Sequence, residues 1–192
     1  MFAAFLQEIR LLLAATDEPM AQEFVALLER AAGITPASDP APCPVPDLAR
    51  ARDLAAASTR PAIDALLAST DEMHWNRPDP AHVPPGWAHR SATIEIIGVD
   101  GAITPETNER FGVFVLDTAC DYPNHWHDAE EFYLVLAGSG DWTVGDTTRT
   151  LTAGDFSRTP SRAHHAIVTH DQPVFTVWGW SGDDTSFDSY RY

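Results

Sequence analysis

A chain of 192 residues holds one ordinary domain with its own core and is too short for two large ones. Its 44% hydrophobic content and six tryptophans exclude a disordered polypeptide, and fifteen prolines with eleven glycines imply many turns. With 28 acidic against 12 basic side chains, the net charge of -16 repels phosphate backbones and anionic membrane surfaces. The expected partner is a small neutral or cationic molecule, with no nucleic acid and no membrane.

All twelve basic residues are arginine, so Schiff-base chemistry and lysine-anchored pyridoxal phosphate are ruled out. Cys43 and Cys120 are too few for a disulfide-stapled secreted module and read as reduced thiols. The first residues, MFAAFLQEIRLLLAA, are apolar, but Glu8 and Arg10 interrupt them and no basic segment precedes them. The expectation is a soluble cytoplasmic protein.

In chain order, residues 2 to 32 read as two helices. Phe2, Phe5, Leu6, Ile9, Leu12 and Leu13 fall at helical spacing, which resumes at Phe24, Leu27 and Leu28. Thr16 and Asp17 before Pro19 mark a start and Gly33 a stop. Residues 34 to 46 form a proline-rich connector, followed by helical pieces at about 47 to 57 and 61 to 68. From Met73 onward the pattern turns β-like: ATIEIIGV, FGVFVLDT, EFYLVLAG, DWTVG, TRTLTA, HAIVTH and VFTVWGW, punctuated by glycine and aspartate turns. The expected architecture is mainly β with an α-helical N-terminal region, residues 1–72, packed on a β-barrel formed by residues 73–192. The helical third and its connector are candidates for covering the barrel mouth.

The chemistry concentrates in YPNHWHDAEEFYLVLAG, Tyr122 to Gly138. His125 and His127 share one strand face, as do Glu131 and Tyr133, because side chains two apart in a strand point the same way. A transition metal takes neutral imidazoles and a carboxylate at about 2 Å on rigid strands, with one position left open. His165 supplies a further corner. Alternation sends its neighbour His164 to the opposite face, and Glu130 opposite Glu131, although a one-residue register slip would exchange them. His74, His82, His89 and His170 read as solvated or core residues.

His125-x-His127-x-x-x-Glu131 followed by Gly138, then Gly154, Pro160 and His165, resembles the two motifs of the cupin superfamily, over about residues 112 to 170. DWTVG and TRTLTA then make the hairpin between the motifs. The resemblance implies a cupin double-stranded β-helix (jelly-roll) barrel and one divalent transition metal, zinc, iron, manganese, nickel or cobalt, on His125, His127, Glu131 and His165. Three positions depart from the pattern. Ala119 and Arg162 stand where glycines are expected and Thr169 where an asparagine is, all of them turn-shaping and not metal-ligating.

Tyr133 two residues after Glu131, an upstream Tyr122, and a helical lead-in to a single barrel are similar to the cupin-type dimethylsulfoniopropionate (DMSP) lyases of the Q-type branch. That likeness implies a carbon–sulfur lyase releasing dimethyl sulfide and acrylate by β-elimination, with Tyr133 as base and Tyr122 assisting or binding. Which of the two abstracts the proton, and whether Tyr133 also touches the metal, stay open. For a sulfonium carboxylate, the cation-facing aromatics would be Trp178 and Trp180 on one strand face and Trp126, with Phe132 and Tyr122 near the ligands in sequence. The competing readings are a cupin dioxygenase or isomerase acting on another small acid, and a non-catalytic ligand-binding cupin.

Overall fold

The computed structural model describes residues 2–31, 46–77, 87–98 and 108–192. Helix α1 (Phe2–Ala14) buries Phe2, Phe5, Leu6, Ile9 and Leu13, and α2 (Pro19–Ala31) buries Met20, Ala21, Phe24, Leu27, Leu28 and Ala31. Both stripes repeat every three to four residues, which is why each is a helix with one buried face. Pro19 opens α2 at a position that needs no backbone N–H donor. Gln22 closes the corner between them with a 2.8 Å bond from Nε2 to the Thr16 carbonyl.

Less helix follows than the sequence implies. A 3-10 turn (Pro46–Arg50) leads into a single turn of α3 (Ala51–Leu54), because Ala55 leaves the helix to bridge Ala137 of the sheet. Helix α4 (Arg60–Ser69) matches expectation and buries Ala62, Ile63 and Leu66. Gly33 and most of the proline-rich connector lie outside the described residues. No described helix is long and apolar enough to cross a membrane.

Among the described residues, seven strands make one antiparallel sheet: β1 (Ser91–Ile97), β2 (Arg110–Leu116), β3 (Asp121–His125), β4 (Glu130–Val144), β5 (Thr147–Thr152), β6 (Phe156–Thr159) and β7 (His165–Ser181). The path runs β1-β2-β7-β4-β5, with β3 also on β7 and β6 also on β4. Because β4 pairs with β5, β6 and β7, and β7 with β2, β3 and β4, the sheet curls on itself as a barrel. DWTVG and TRTLTA pair through a two-residue turn led by Gly145 at φ 57, the type of turn that follows strand twist. Two pairs of runs that look separate in the sequence are single long strands. EFYLVLAG joins DWTVG in β4, and HAIVTH joins VFTVWGW in β7, with bulges at Val135/Ala137 and Gly138/Gly140 absorbing the bend.

Alternation sorts the sheet into two faces. Phe111, Val113 and Val115 of β2, Phe132 and Leu134 of β4, and Phe175 and Val177 of β7 join the buried faces of the helices in one core. Phe114, Tyr122, Tyr133, Trp142, Ile167, Trp178 and Trp180 fill the barrel interior. Each fully buried Leu or Phe contributes roughly 1.5–3 kcal/mol by leaving water. Gly179 lets helix and sheet approach: a Cβ there would lie 2.2 Å from the Phe132 ring and 2.8 Å from Phe24. The described helices therefore coat the outer face of the sheet. Phe132 goes with them, packing against Phe24 at 4.9 Å and Phe156 at 5.2 Å, away from the interior.

The three departures from the cupin pattern keep the geometry they depart from. Ala119 (φ 47) and Arg162 (φ 61) are the two non-glycine residues with positive φ among those described. Arg162 N–H donates to the His127 carbonyl at 2.9 Å, so its strained turn holds a candidate ligand loop. Thr169 Oγ1 accepts from Cys120 N–H at 3.0 Å and donates to the Asp117 carbonyl, doing for the 117–120 turn what an amide side chain would do. Left-handed backbone costs an L-residue about 1–2 kcal/mol, part of which glycine returns as unfolded-state entropy. Ala119→Gly is expected to raise stability by about 0.5–1 kcal/mol, read as a higher denaturant midpoint at unchanged slope. An unchanged or lowered midpoint would show that the strain is absorbed elsewhere.

Candidate metal centre

Strand β3 ends at His125, the chain crosses a single bridge at Trp126, and His127 follows; Glu131 enters from β4 and His165 from the start of β7. The β3–β7 register sets His125 directly opposite His165. The three imidazoles are at most 2% exposed, and their ligand-capable atoms lie within 4.8 Å of one another. Each is aimed by a backbone carbonyl. His125 Nδ1 donates to Pro123 O at 2.8 Å, His127 Nδ1 to Ala129 O at 3.0 Å and His165 Nδ1 to Ala163 O at 3.0 Å.

That aiming fixes the tautomer. With the proton on every Nδ1, each Nε2 carries an unshared pair into the centre. Glu131 Oε2 lies 3.3 Å from His127 Nε2 and 3.1 Å from His165 Nε2. The Nε2 atoms of His125 and His165 are buried without a hydrogen-bond partner. Lone pairs facing lone pairs and a carboxylate are repulsive unless a cation sits among them, so the donor set fits a divalent transition metal.

Glu131 is itself held from both sides. Its Oε1 accepts the Trp180 indole N–H at 2.7 Å. Burial alone would raise its pKa; when His127 and His165 are protonated in the metal-free site, their Nε2 hydrogen bonds and charges outweigh burial and hold the carboxyl well below the usual range. His125 is lowered to about 3, first by burial and then by the nearby His165. Between that value and the unfolded value of 6.5, only the unfolded chain binds the proton. The metal-free protein should therefore lose stability on acidification from pH 6.5 to 5, by roughly 1.4 kcal/mol per pH unit from this residue. Urea midpoints of chelated protein at pH 7, 6 and 5 measure it; a flat series would contradict a buried neutral His125.

The alternation that separates neighbours is visible. His164 is exposed, with Nδ1 3.2 Å from Asn124, while His165 is buried, and Glu130 pairs with Arg158 on the outer side while Glu131 faces in. His170 pairs with Asp141 on the exposed surface.

Tyr133 lies across from Trp178 in the β4–β7 register and two pairs from Glu131 and Trp180, so all four side chains share the interior face. Burial and then the negative charge of Glu131 push its phenol well above the usual range. Tyr122 is raised too, by burial first and then by Tyr190. Tyr122 stacks on Trp87 at 4.6 Å and 14°, and its ring centre lies 4.5 Å from that of His125.

The aromatic expectations divide. Trp178 and Trp180 do share a face, but Trp180 is engaged by Glu131 and packs on His127 at 4.2 Å and Phe187 at 5.2 Å. Trp178 touches Trp180 edge-on at 5.9 Å. Trp126 falls between two buried histidines, so alternation turns its half-buried indole away from them. Two residues were not legible in the sequence: Trp87, from a stretch without periodicity, and Tyr190, whose one signal is the aromatic run in the segment SFDSYRY. Cys120 is a buried free thiol raised to about 11, first by burial. Cys43 lies outside the described residues.

Residues 21–176 match the family model for dimethylsulfoniopropionate lyase. The chain is 34% identical over 95 residues to the dimethylsulfoniopropionate lyase DddQ of Ruegeria pomeroyi, an alignment covering 49% of this chain and 47% of that protein. The matched segment thus spans about half the length of that curated relative. The crystal structure of DddQ from Ruegeria pomeroyi superposes with a TM-score of 0.76 at 28% identity, covering 96% of this chain and 93% of that one. A structure from a study of the DMSP lyases RdDddP and RnDddQII superposes at 0.77 with 23% identity, covering 99% and 96%, and speaks to the fold.

Proposed function

This chain belongs to the dimethylsulfoniopropionate lyase family, and from that membership we propose that it cleaves DMSP to dimethyl sulfide and acrylate by base-catalysed β-elimination. The observation that carries the reading is the buried convergence of His125, His127 and His165 on Glu131, with Tyr133 on the same strand face as that carboxylate. A divalent transition metal on these four residues supplies Lewis acidity toward the substrate carboxylate and a positive charge that favours an ionised phenol beside it. Zinc, iron, manganese, nickel and cobalt all suit this donor set, and availability decides among them as much as affinity does.

The protein's own work is to orient and to move one proton. Tyr133 Oη takes the proton from the carbon next to the substrate carboxylate, that C–H pair becomes the new C=C bond, and the C–S pair leaves with sulfur as neutral dimethyl sulfide. No acid is needed for such a leaving group. Tyr122, wedged between Trp87 and His125, lies beside Tyr133 and assists or binds. Trp178 offers its indole face to the sulfonium, since Trp180 is taken up by Glu131. Interior aromatics around the site keep bulk water from the reacting carbon. A reduced, unpaired Cys120 suits the cytoplasm as the compartment.

Headspace measurement of dimethyl sulfide from purified protein and DMSP, with and without chelator, tests the reading. Oxygen-independent release, abolished by chelation and restored by added metal, is the expected result. No release, with oxygen consumption on another small acid, would transfer the assignment to a dioxygenase.

A further inference from the structure

Residues 186–192 take no part in either sequence motif, yet they form a strap across the metal centre. Arg110 anchors its root: the guanidinium lies 3.9 Å over the Phe187 ring, donates to Thr185 O at 3.1 Å and pairs with Glu95 at 2.7 Å. Ser186 Oγ caps the 3-10 turn (Phe187–Ser189) by accepting Asp188 N–H at 3.0 Å. Arg191 then pairs with Trp126 through reciprocal backbone bonds of 3.0 and 2.9 Å. That pairing fastens the strap to the one residue lying between His125 and His127.

The side chain so delivered is Tyr190. Its ring is parallel to His125 at 4.8 Å and 10°, and lies 5.3 Å from His127 and 5.6 Å from Trp180. Its hydroxyl is hydrogen-bonded to the hydroxyl of Tyr122. Tyr122 is thus held by Trp87 against its ring and by Tyr190 at its tip. His125 is held by the Pro123 carbonyl at Nδ1 and by Tyr190 on its face.

We propose that Tyr190 is a positioning residue for the lyase reaction: its hydroxyl sets the phenol of Tyr122, and its ring sets the plane of His125. This rests on the lyase reading given above. Partners behind a first ring of ligands typically govern metal affinity by about ten- to a hundredfold, and one hydrogen bond is worth about five- to tenfold in a rate.

Two full-length variants separate the two roles. Tyr190→Phe keeps the ring and removes the hydroxyl; kcat for DMSP should fall about tenfold, with KM and metal stoichiometry unchanged. Tyr190→Ala removes the ring; affinity for cobalt(II), titrated by its visible absorption, should fall at least about tenfold, an effect Tyr190→Phe should lack. Wild-type kcat in Tyr190→Phe, or a loss that merely tracks lost metal or a lowered melting temperature, overturns the hydroxyl role. Unchanged cobalt affinity in Tyr190→Ala overturns the ring role. If wild-type protein releases no dimethyl sulfide, the lyase reading has failed, and the cobalt titration still decides whether Tyr190 orients His125.

Discussion

His165→Ala is expected to bring bound metal below about a tenth of stoichiometry and lyase turnover down by at least about 10³-fold, a loss typical of removing a group on which the whole constellation depends. The imidazole is 2% exposed, faces His125 across the β3–β7 pairing, and brings Nε2 within 3.1 Å of Glu131. Without it the remaining donors no longer surround a cation, and Glu131 loses one of the two imidazoles that hold its charge in a buried site. His164→Ala is the matched control. One position along the chain but on the solvent face, it contacts Asn124 and should leave both metal and turnover unchanged. Metal analysis and headspace assay of the pair decide the matter, and wild-type metal affinity in the His165 variant would remove it from the ligand set.

Tyr133→Phe should lower kcat by about 10²–10⁴-fold, the range for loss of a general base, while metal content stays at wild-type level. The substitution deletes one oxygen and leaves the ring in its place against Trp142 at 6.1 Å and Phe114 at 6.4 Å. Removing a buried hydroxyl beside the Glu131 carboxylate also leaves the three histidines in place, so chemistry and metal binding are separable. Tyr122→Phe is expected to cost less, about tenfold, because that hydroxyl is bonded to Tyr190 and acts on the reaction from one step away. A larger loss in Tyr122→Phe than in Tyr133→Phe would exchange the two roles.

The candidate site was legible in the sequence to the extent that it is local. The spacings of two, from His125 to His127 and from Glu131 to Tyr133, put each pair on one face of extended backbone, and alternation sets His165 against His164 and Glu131 against Glu130, while only the register of the sheet decides which of each pair faces in. The N-terminal helices were legible for a similar reason, since a 3.6-residue stripe has one way to be buried. Strands β3 and β6 were not. DYPNH carries a proline and no alternating apolar pattern, and FSRT is four residues long; both are strands because a long neighbour pairs with them.

What the amino-acid order determined by itself is thus the local part: which side chains carry the candidate chemistry and on what kind of element they lie. Only the tertiary structure decided the surroundings. It turned Trp180 from a cation face into the hydrogen-bond donor that holds Glu131, sent Phe132 to the helices, and laid the helices on the outside of the sheet. It also brought Tyr190 from the far end of the chain onto His125 and Tyr122. The physical reason is range. Strand and helix periodicity act between residues a few positions apart, whereas Trp87, Tyr122 and Tyr190 meet only after long loops have closed, and no spacing in the sequence records that closure.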